Sequence, residues 1–189
     1  MDSVYVIGRD AVPSFIRLGA GESLKMTVIV PEGVSASLAL EIDLDGPGAS
    51  LDLAGASMST GSEEVSVRVT VRHNVPGCRS EQLFKSVAGG SSRVSFDGLV
   101  YVAQDAVRTV AHQQNHSLLL AEGAVAESRP QLEIYADDVE CSHGATTGYL
   151  NPEELFYMRS RGIPEAEARK MQVEAFLAPV LTRAEVAND

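Results

Sequence analysis

The sequence contains no tryptophan, and phenylalanine and tyrosine together with it make up only 5% of the residues. Sugar-binding grooves usually stack aromatic rings on their ligands, so this composition argues against a carbohydrate-active enzyme. Basic residues are also scarce, because 15 Lys and Arg face 26 Asp and Glu and give a net charge of −11. Surfaces that bind nucleic acids or anionic membranes are usually basic. The charge therefore argues against both of these partners.

The chain also lacks long apolar segments and has few cysteines. No run of about 18 apolar residues occurs, so we expect no transmembrane helix. Residues 1–10 lack the basic region and apolar core of a secretory signal. The only two cysteines are Cys78 and Cys141, which suits reduced thiols and predicts a cytoplasmic location. Hydrophobic residues still make up 44%, enough for the core of one domain with a small appendage.

Several motifs of catalysis and nucleotide binding are missing from the sequence. It contains no Walker A motif, no GxSxG nucleophile elbow and no GxGxxG after a strand. Any ATP that the function requires must therefore be hydrolysed by another protein.

Apolar and polar residues alternate over most of the chain. The alternation is clearest over residues 38–45, 65–72 and 132–135, and glycine, proline and aspartate mark turns between such segments. This pattern predicts many short strands with one buried face each. It is typical of a sandwich, a barrel or a β-solenoid. The sequence shows no strict repeat, so periodicity alone does not select among these three folds.

The period changes after Gly148. Asn151 is a good helix N-cap, and Pro152 suits the first helical position. Gly162 predicts the end of this helix. A second helix is predicted from near Pro164, and we expect Pro179 to fray or end it.

The segment 132–148, LEIYADDVECSHGATTG, holds the strongest candidate site. Residues i and i+2 of a strand face the same way, so Cys141 and His143 are predicted to share one face. Cysteine and histidine both ligate transition metals. Two ligands do not complete a tetrahedral site, and the alternative is a buried strand cysteine beside a hydrogen-bonded turn histidine.

Four other residues carry weaker signals. The adjacent Asp137 and Asp138 would point in opposite directions on a strand, so turn formation is favoured over a carboxylate pair. The spacing of His112 and His116 suits zinc on a helix, but the flanking segments predict strands. A structural ladder of polar side chains is therefore the preferred interpretation of these histidines.

Cys78 lies in a Pro-Gly turn, close in sequence to His73. A Cys/His catalytic pair usually has a third group that orients the base, and none is evident here. We expect Cys78 to have no catalytic role.

Four segments are distinctive: SFDGLVYV (95–102), AHQQNHSLLL (111–120), QLEIYADDVECSHGATTG (131–148) and NPEELFYMRSRGI (151–163). They resemble the SufB/SufD family of iron–sulfur cluster assembly proteins, and in particular its SufD branch. The specific resemblance covers roughly residues 65–180, and the longer N-terminal part usual in the family is not matched. It implies a right-handed parallel β-helix over residues 1–148 and a short C-terminal helical segment over residues 149–189.

The resemblance also implies a role and partners. A member would be a non-enzymatic assembly component that pairs with a SufB-like scaffold, or with itself as a dimer, and with a SufC-like ABC ATPase. Cys141 and His143 would contribute to a transient iron–sulfur cluster at the partner interface, while involvement of flavin stays undecided. The SufB branch has a cluster cysteine shortly after residue 116, where this chain has three leucines. The ATPase would dock on the helical region through Tyr149, Leu155, Phe156, Tyr157 and Met158.

Two alternatives remain open at this point. Parallel β-helices also occur in carbohydrate-active enzymes, although the few aromatic residues argue against that class. A homodimer that regulates an ATPase without cluster chemistry is the weaker alternative.

Overall fold

Two parallel β-sheets form the body of the protein in the computed structural model, which describes residues 2–186 and their side chains through residue 184. One sheet, named sheet A here, has the order β1-β3-β5-β7-β9-β11, and the other, sheet B, has the order β10-β8-β6-β4-β2. From β2 onward, strands alternate between the sheets, so each successive pair forms one coil of a β-solenoid. The predicted mainly β, parallel β-helical fold is confirmed. The strands are β1 (Asp2–Val6), β2 (Phe15–Leu18), β3 (Ser23–Val30), β4 (Ala36–Leu44), β5 (Ser50–Ser59), β6 (Glu64–His73), β7 (Arg79–Ala88), β8 (Arg93–Val102), β9 (Thr109–Leu119), β10 (Val125–Ile134) and β11 (Val139–Tyr149).

The coils differ in length, which explains why the sequence shows no strict repeat. In sheet A the register partners are Lys25, Asp52, Glu81, His112 and Ser142, which lie 27, 29, 31 and 30 residues apart. The differences are taken up in the turns between strands. Residues that stack on one another in space are therefore separated by a variable number of residues in the sequence.

Inward-facing side chains of successive coils form the core. Leu40 and Ile42 are buried, whereas Glu41 between them is exposed and forms an ion pair with Arg72. This is the phase predicted from the alternation. Inward residues of successive coils stack on one another, and the apolar ones form a large cluster in the early coils and smaller clusters further along the solenoid.

The first helix begins and ends where its capping residues predict. It is α1 (Pro152–Ser160), and the Asn151 side chain accepts hydrogen bonds from the backbone N–H groups of Glu153 and Glu154. Gly162 has a φ of 87°, a left-handed conformation that glycine adopts without strain. No residue of α1 is buried.

The second helix, α2 (Glu165–Val186), continues through Pro179. The expectation that Pro179 would fray or end it was wrong. The residues around the proline are anchored on sheet A, since Leu177 and Val180 are buried there and Arg183 forms an ion pair with Asp52. These contacts hold the last turns in place although proline removes one helical hydrogen bond. Residues 187–189 of the predicted helical segment lie outside the described part of the chain.

Helix α2 lies on the outer face of sheet A. Small residues of β5, Ala54 and Ala56, leave room for the helix, whose buried side chains join the same apolar cluster. The Lys85 ammonium lies 4.4 Å from the centre of the Phe176 ring. Within residues 2–186, neither helix combines the length and the apolar character needed to cross a membrane.

Candidate metal-ligating site

Strand β11 carries both predicted metal ligands on its inward face. Cys141 pairs in register with Ala111 and His143 pairs with Gln113, and both partners on β9 are fully buried. The intervening Ser142 lies on the opposite face, where its hydroxyl is 2.7 Å from Nδ1 of His112. The alternation therefore directs Cys141 and His143 to the same side of the strand.

This strand is the last of its sheet. Within residues 2–186, β11 pairs only with β9, and β10 pairs only with β8. The interior of the solenoid is consequently open beyond the last coil. Cys141 is partly buried and His143 is exposed at this open end, although both belong to the inward face.

Cys141 lies in a mostly apolar setting. It packs against the buried cluster that contains Val100, Val102 and Ala111. Burial raises the pKa of its thiol above the ordinary value, and the nearby Glu140 carboxylate raises it further. The thiol is therefore protonated at neutral pH in the isolated chain, and metal binding must displace that proton.

The two residues do not form a complete metal site within this chain. Among residues 2–184, no group of three or more His, Cys, Asp and Glu side chains is arranged to hold a metal ion. A tetrahedral iron of a cluster takes four ligands. Cys141 and His143 could supply two of these, and the others would have to come from another molecule or from the cluster's own sulfide.

His112 and His116 lie on the outer face of β9. Nδ1 of His116 is 2.7 Å from the Thr146 hydroxyl, as Nδ1 of His112 is from Ser142. Residues four apart on a strand are separated by about 13 Å, too far for one zinc ion. His112 and His116 thus form two separate hydrogen bonds between β9 and β11, each between a histidine and a hydroxyl group of the next coil.

The two aspartates and Cys78 occupy structural positions. Asp137 and Asp138 form the exposed bend between β10 and β11. Cys78 is fully buried and its thiol donates to the carbonyl oxygen of Gly46 at 3.3 Å, while burial raises its pKa. His73 instead lies 2.9 Å from the Ser80 hydroxyl, so the structure does not bring these two residues together as a catalytic pair.

The residues predicted to bind an ATPase lie at and just after the end of β11. Tyr149, Phe156 and Tyr157 are exposed large side chains, with 66%, 72% and 60% of their surface accessible. Leu155 and Met158 are partly buried. Tyr149 ends β11, whereas the other four residues are consecutive on α1 and therefore point around the helix. The exposed neighbours Phe156 and Tyr157 are called the surface on α1 below.

Sequence reasoning missed a buried pair of amides beneath the candidate ligands. Nε2 of Gln113 donates to Oε1 of Gln82 at 3.0 Å, and both side chains are buried. The sequence shows Gln113 within a uniformly polar segment, 112–117. The alternation of a strand through this segment could have found it, because it places residue 113 inward when 112 and 114 point outward.

Comparison with known proteins gives a consistent family assignment. The family model of the SUF system FeS cluster assembly SufBD core domain matches residues 11–176. The iron-sulfur cluster assembly protein SufD of Escherichia coli is 42% identical over 135 residues, which are 71% of this chain and 32% of that protein. A SufBD family protein of Synechocystis is 38% identical over 119 residues, 63% of this chain and 26% of the relative. A SufBD family protein of Mycobacterium tuberculosis is 30% identical over 175 residues, 88% of this chain and 44% of the relative. The chain thus spans less than half the length of these relatives.

Proposed function

Since the chain belongs to the SufBD family of iron–sulfur cluster assembly proteins, we propose that it is a non-enzymatic component that helps to build a cluster at an interface with a partner. The observation that carries this proposal is the position of Cys141 and His143 on the last strand, at the open end of the solenoid. The nascent cluster is cargo, and we place the assembly in the cytoplasm. An interfacial site suits cargo that must later be handed on, because separation of the partners removes ligands.

The proposed partner at this end is a SufB-like scaffold, with a second copy of this chain as the other possibility. An unpaired strand edge offers its backbone N–H and C=O groups to an incoming strand. The edge of β10 is poorly suited to this, because it contains Pro130 flanked by Arg129 and Gln131, with Glu127 nearby. Strand β11 contains no proline, lysine or arginine. We therefore assign the strand contact to β11, the strand that carries the ligands.

The surface on α1 is proposed to bind a SufC-like ABC ATPase. Aromatic side chains on a helix dominate many protein interfaces when they insert into a partner's pocket. Phe156 and Tyr157 are exposed here, and Asn151 and Pro152 fix the start of the helix that carries them. Motion of the bound ATPases would then be transmitted to the adjacent interface and would open or close access to the cluster.

The test of the cluster site is anaerobic reconstitution of the complex co-expressed with SufB-like and SufC-like proteins. Iron, sulfide and visible absorbance are measured per complex. His143→Ala is expected to lower cluster yield strongly while the fold and ATPase binding persist, since alanine cannot ligate iron. Cys141→Ala is expected to have a similar but smaller effect.

The matched control for His143→Ala is His116→Ala, which removes a histidine from the outer face of the neighbouring strand. Wild-type cluster yield from a folded His143→Ala complex would refute the proposed site. Loss of clusters in both variants would show a general structural effect. If no iron binds to any complex while ATPase activity still depends on this chain, the role is that of an ATPase regulator.

The ATPase surface is tested separately by Phe156→Glu and Tyr157→Glu. Each is expected to weaken ATPase binding about tenfold or more, the usual effect of losing an aromatic anchor. Phe15→Glu is the control, because Phe15 is also exposed but lies on β2, at the other end of the solenoid. Unchanged affinity in both α1 variants would show that the ATPase binds elsewhere.

A further inference from the structure

The buried carboxamide of Gln113 uses its nitrogen, but not its oxygen, in a hydrogen bond within the described residues. The side chain is fully buried, and its Nε2 donates to Gln82 Oε1 at 3.0 Å. Its own Oε1 has no hydrogen-bond partner among the described residues. A buried carbonyl without a donor is costly, so a donor within reach of it would be strongly favoured as a partner.

The space for this carboxamide is created by a glycine on the opposite sheet. Gly98 lies in the middle of β8, where glycine weakens a strand. A Cβ atom at this position would lie 2.5 Å from Gln113 Oε1 and 2.6 Å from Phe96 Cε1. The absence of a side chain at Gly98 thus allows the Gln113 carboxamide to extend across the interior.

The next residue in the same inward column is His143. It pairs in register with Gln113, and adjacent in-register residues of parallel strands stack about 4.8 Å apart. Asn115 also has an unpartnered buried oxygen, but the residue stacked on it is Ala145, which has no side-chain donor. The imidazole of His143 forms no hydrogen bond with any residue in the range 2–184. A buried acceptor and an unused donor therefore occupy neighbouring positions.

We propose that Gln113 is a positioning residue for His143, a role that rests on the proposed function of His143. One imidazole N–H donates to Gln113 Oε1, and the other ring nitrogen keeps its lone pair directed to the open end. Histidine ligands usually donate their second N–H to a carbonyl or carboxylate, which fixes both the tautomer and the ring plane. Gln82 contributes by accepting from the Gln113 amide nitrogen, and this arrangement leaves Oε1 of Gln113 and Nε2 of Gln82 without partners among the described residues.

The test is the tautomer of His143 in the full chain, measured by long-range ¹H–¹⁵N NMR. In the wild type, one ring nitrogen of His143 is expected to carry the proton in preference to the other. Gln113→Met is expected to change the ratio of the two tautomers about fivefold. Methionine keeps the length of the side chain but offers no carbonyl. Gln114→Met is the matched control, because Gln114 points outward on the same strand.

A second variant guards against failure of Gln113→Met to fold. Gly98→Ala keeps the Gln113 side chain, but the added methyl group displaces the Gln113 oxygen. It is expected to shift the tautomer ratio in the same direction as Gln113→Met. A ratio that is identical in the wild type and in both folded variants would overturn the positioning role, as would an equal shift in Gln114→Met.

The readout separates this role from the proposed function, because it requires neither a cluster nor a partner. If the tautomer shifts but His143→Ala still yields clusters at the wild-type level, the hydrogen bond stands and the cluster role fails. If His143→Ala loses clusters but the tautomer does not respond to residue 113, the cluster role stands and the positioning fails. With both correct, Gln113→Met lowers cluster yield and Gln114→Met does not.

Discussion

The early and late coils of the solenoid differ in what they place inside. One inward column of sheet A reads Met26, Leu53, Gln82, Gln113 and His143 from the first coil to the last. The same fold thus contains an apolar stack at one end of this column and a stack of amides that leads to an imidazole at the other. The apolar half stabilises the protein, whereas the polar half is organised around the candidate ligands.

The physical reason for this division is that each coil contacts mainly its neighbours. Buried amides cost free energy unless their hydrogen bonds are made. A solenoid tolerates such layers where adjacent layers supply the apolar contacts. Around Gln82 and Gln113 these contacts come from sheet B, where Val69, Phe96 and Val100 are buried.

The largest expected effect is in the apolar half. Leu40→Asp should unfold or aggregate the protein, because it removes a buried leucine and adds an unpaired buried charge, together worth more than about 4 kcal/mol. Glu41→Ala changes an exposed neighbour and should cost less than about 1 kcal/mol. Thermal denaturation compares the two, and equal shifts in Tm would contradict the assigned strand phase.

A swap between the halves tests the comparison directly. Leu53→Gln extends the row of glutamines in this inward column of sheet A to the coil before Gln82. It should lower the free energy of unfolding by about 1–3 kcal/mol, because the new carboxamide is removed from water and only half of it has a partner. Its oxygen can accept from the otherwise unbonded Nε2 of Gln82, but its amide nitrogen faces Met26. Urea denaturation measures the change, and Leu53→Met is the control that keeps the volume apolar. A change below 1 kcal/mol for Leu53→Gln would show that the early coils also accept polar layers.

Acid should weaken the fold through the buried His73. Desolvation lowers its pKa from 6.5 to about 4, so the folded protein resists a proton that the unfolded chain accepts. The contribution of neutral His73 to the free energy of unfolding is therefore fully present above pH 6.5. It is lost as the pH falls toward 4, which lowers the free energy of unfolding by about 3 kcal/mol in total. His73→Gln should flatten this part of the pH profile of urea denaturation. An unchanged slope in that variant would assign the acid sensitivity to other groups.

The smallest expected effect on stability sharpens the distinction between the halves. Gln82→Leu with Gln113→Leu removes both buried amides, and the free energy of unfolding should change by less than about 1 kcal/mol or increase. Gln82→Leu alone should cost more, because the Gln113 amide then loses its acceptor. Strong destabilisation by the double variant would mean that the amides serve the fold and not His143.

Much of the fold follows from local signals in the sequence. The period of two predicted strands with the observed inward phase, and Asn151, Pro152 and Gly162 predicted the limits of α1. The path of α2 through Pro179 could not be predicted, because contacts with β5 and β7 hold it there. Coil lengths that vary from 27 to 31 residues hide the repeat from any search for a fixed period.

The candidate site was only partly accessible from the sequence. The spacing of Cys141 and His143 was enough to place them on one face, since strand geometry is local. Alternation alone could show that Gln113 points inward. Its contact with Gly98 and its pairing with His143 required the register between strands, because these residues lie 15 and 30 positions from Gln113 in the sequence. Such pairings depend on turn lengths, and turns carry no signal that fixes which residue will stack on which.

The return of α2 to the outer face of sheet A has a consequence for the order of folding. Arg183 reaches back to Asp52, a contact that spans 131 residues. While the chain is being synthesised, β3, β5 and β7 can stack as soon as they emerge, but the apolar outer face around Ala54 and Val87 stays uncovered until α2 is made. Until then this face is open to aggregation or to a chaperone. Helix α2 therefore joins a row of neighbouring coils, each able to fold locally, into one unit that is complete only once α2 has been synthesised.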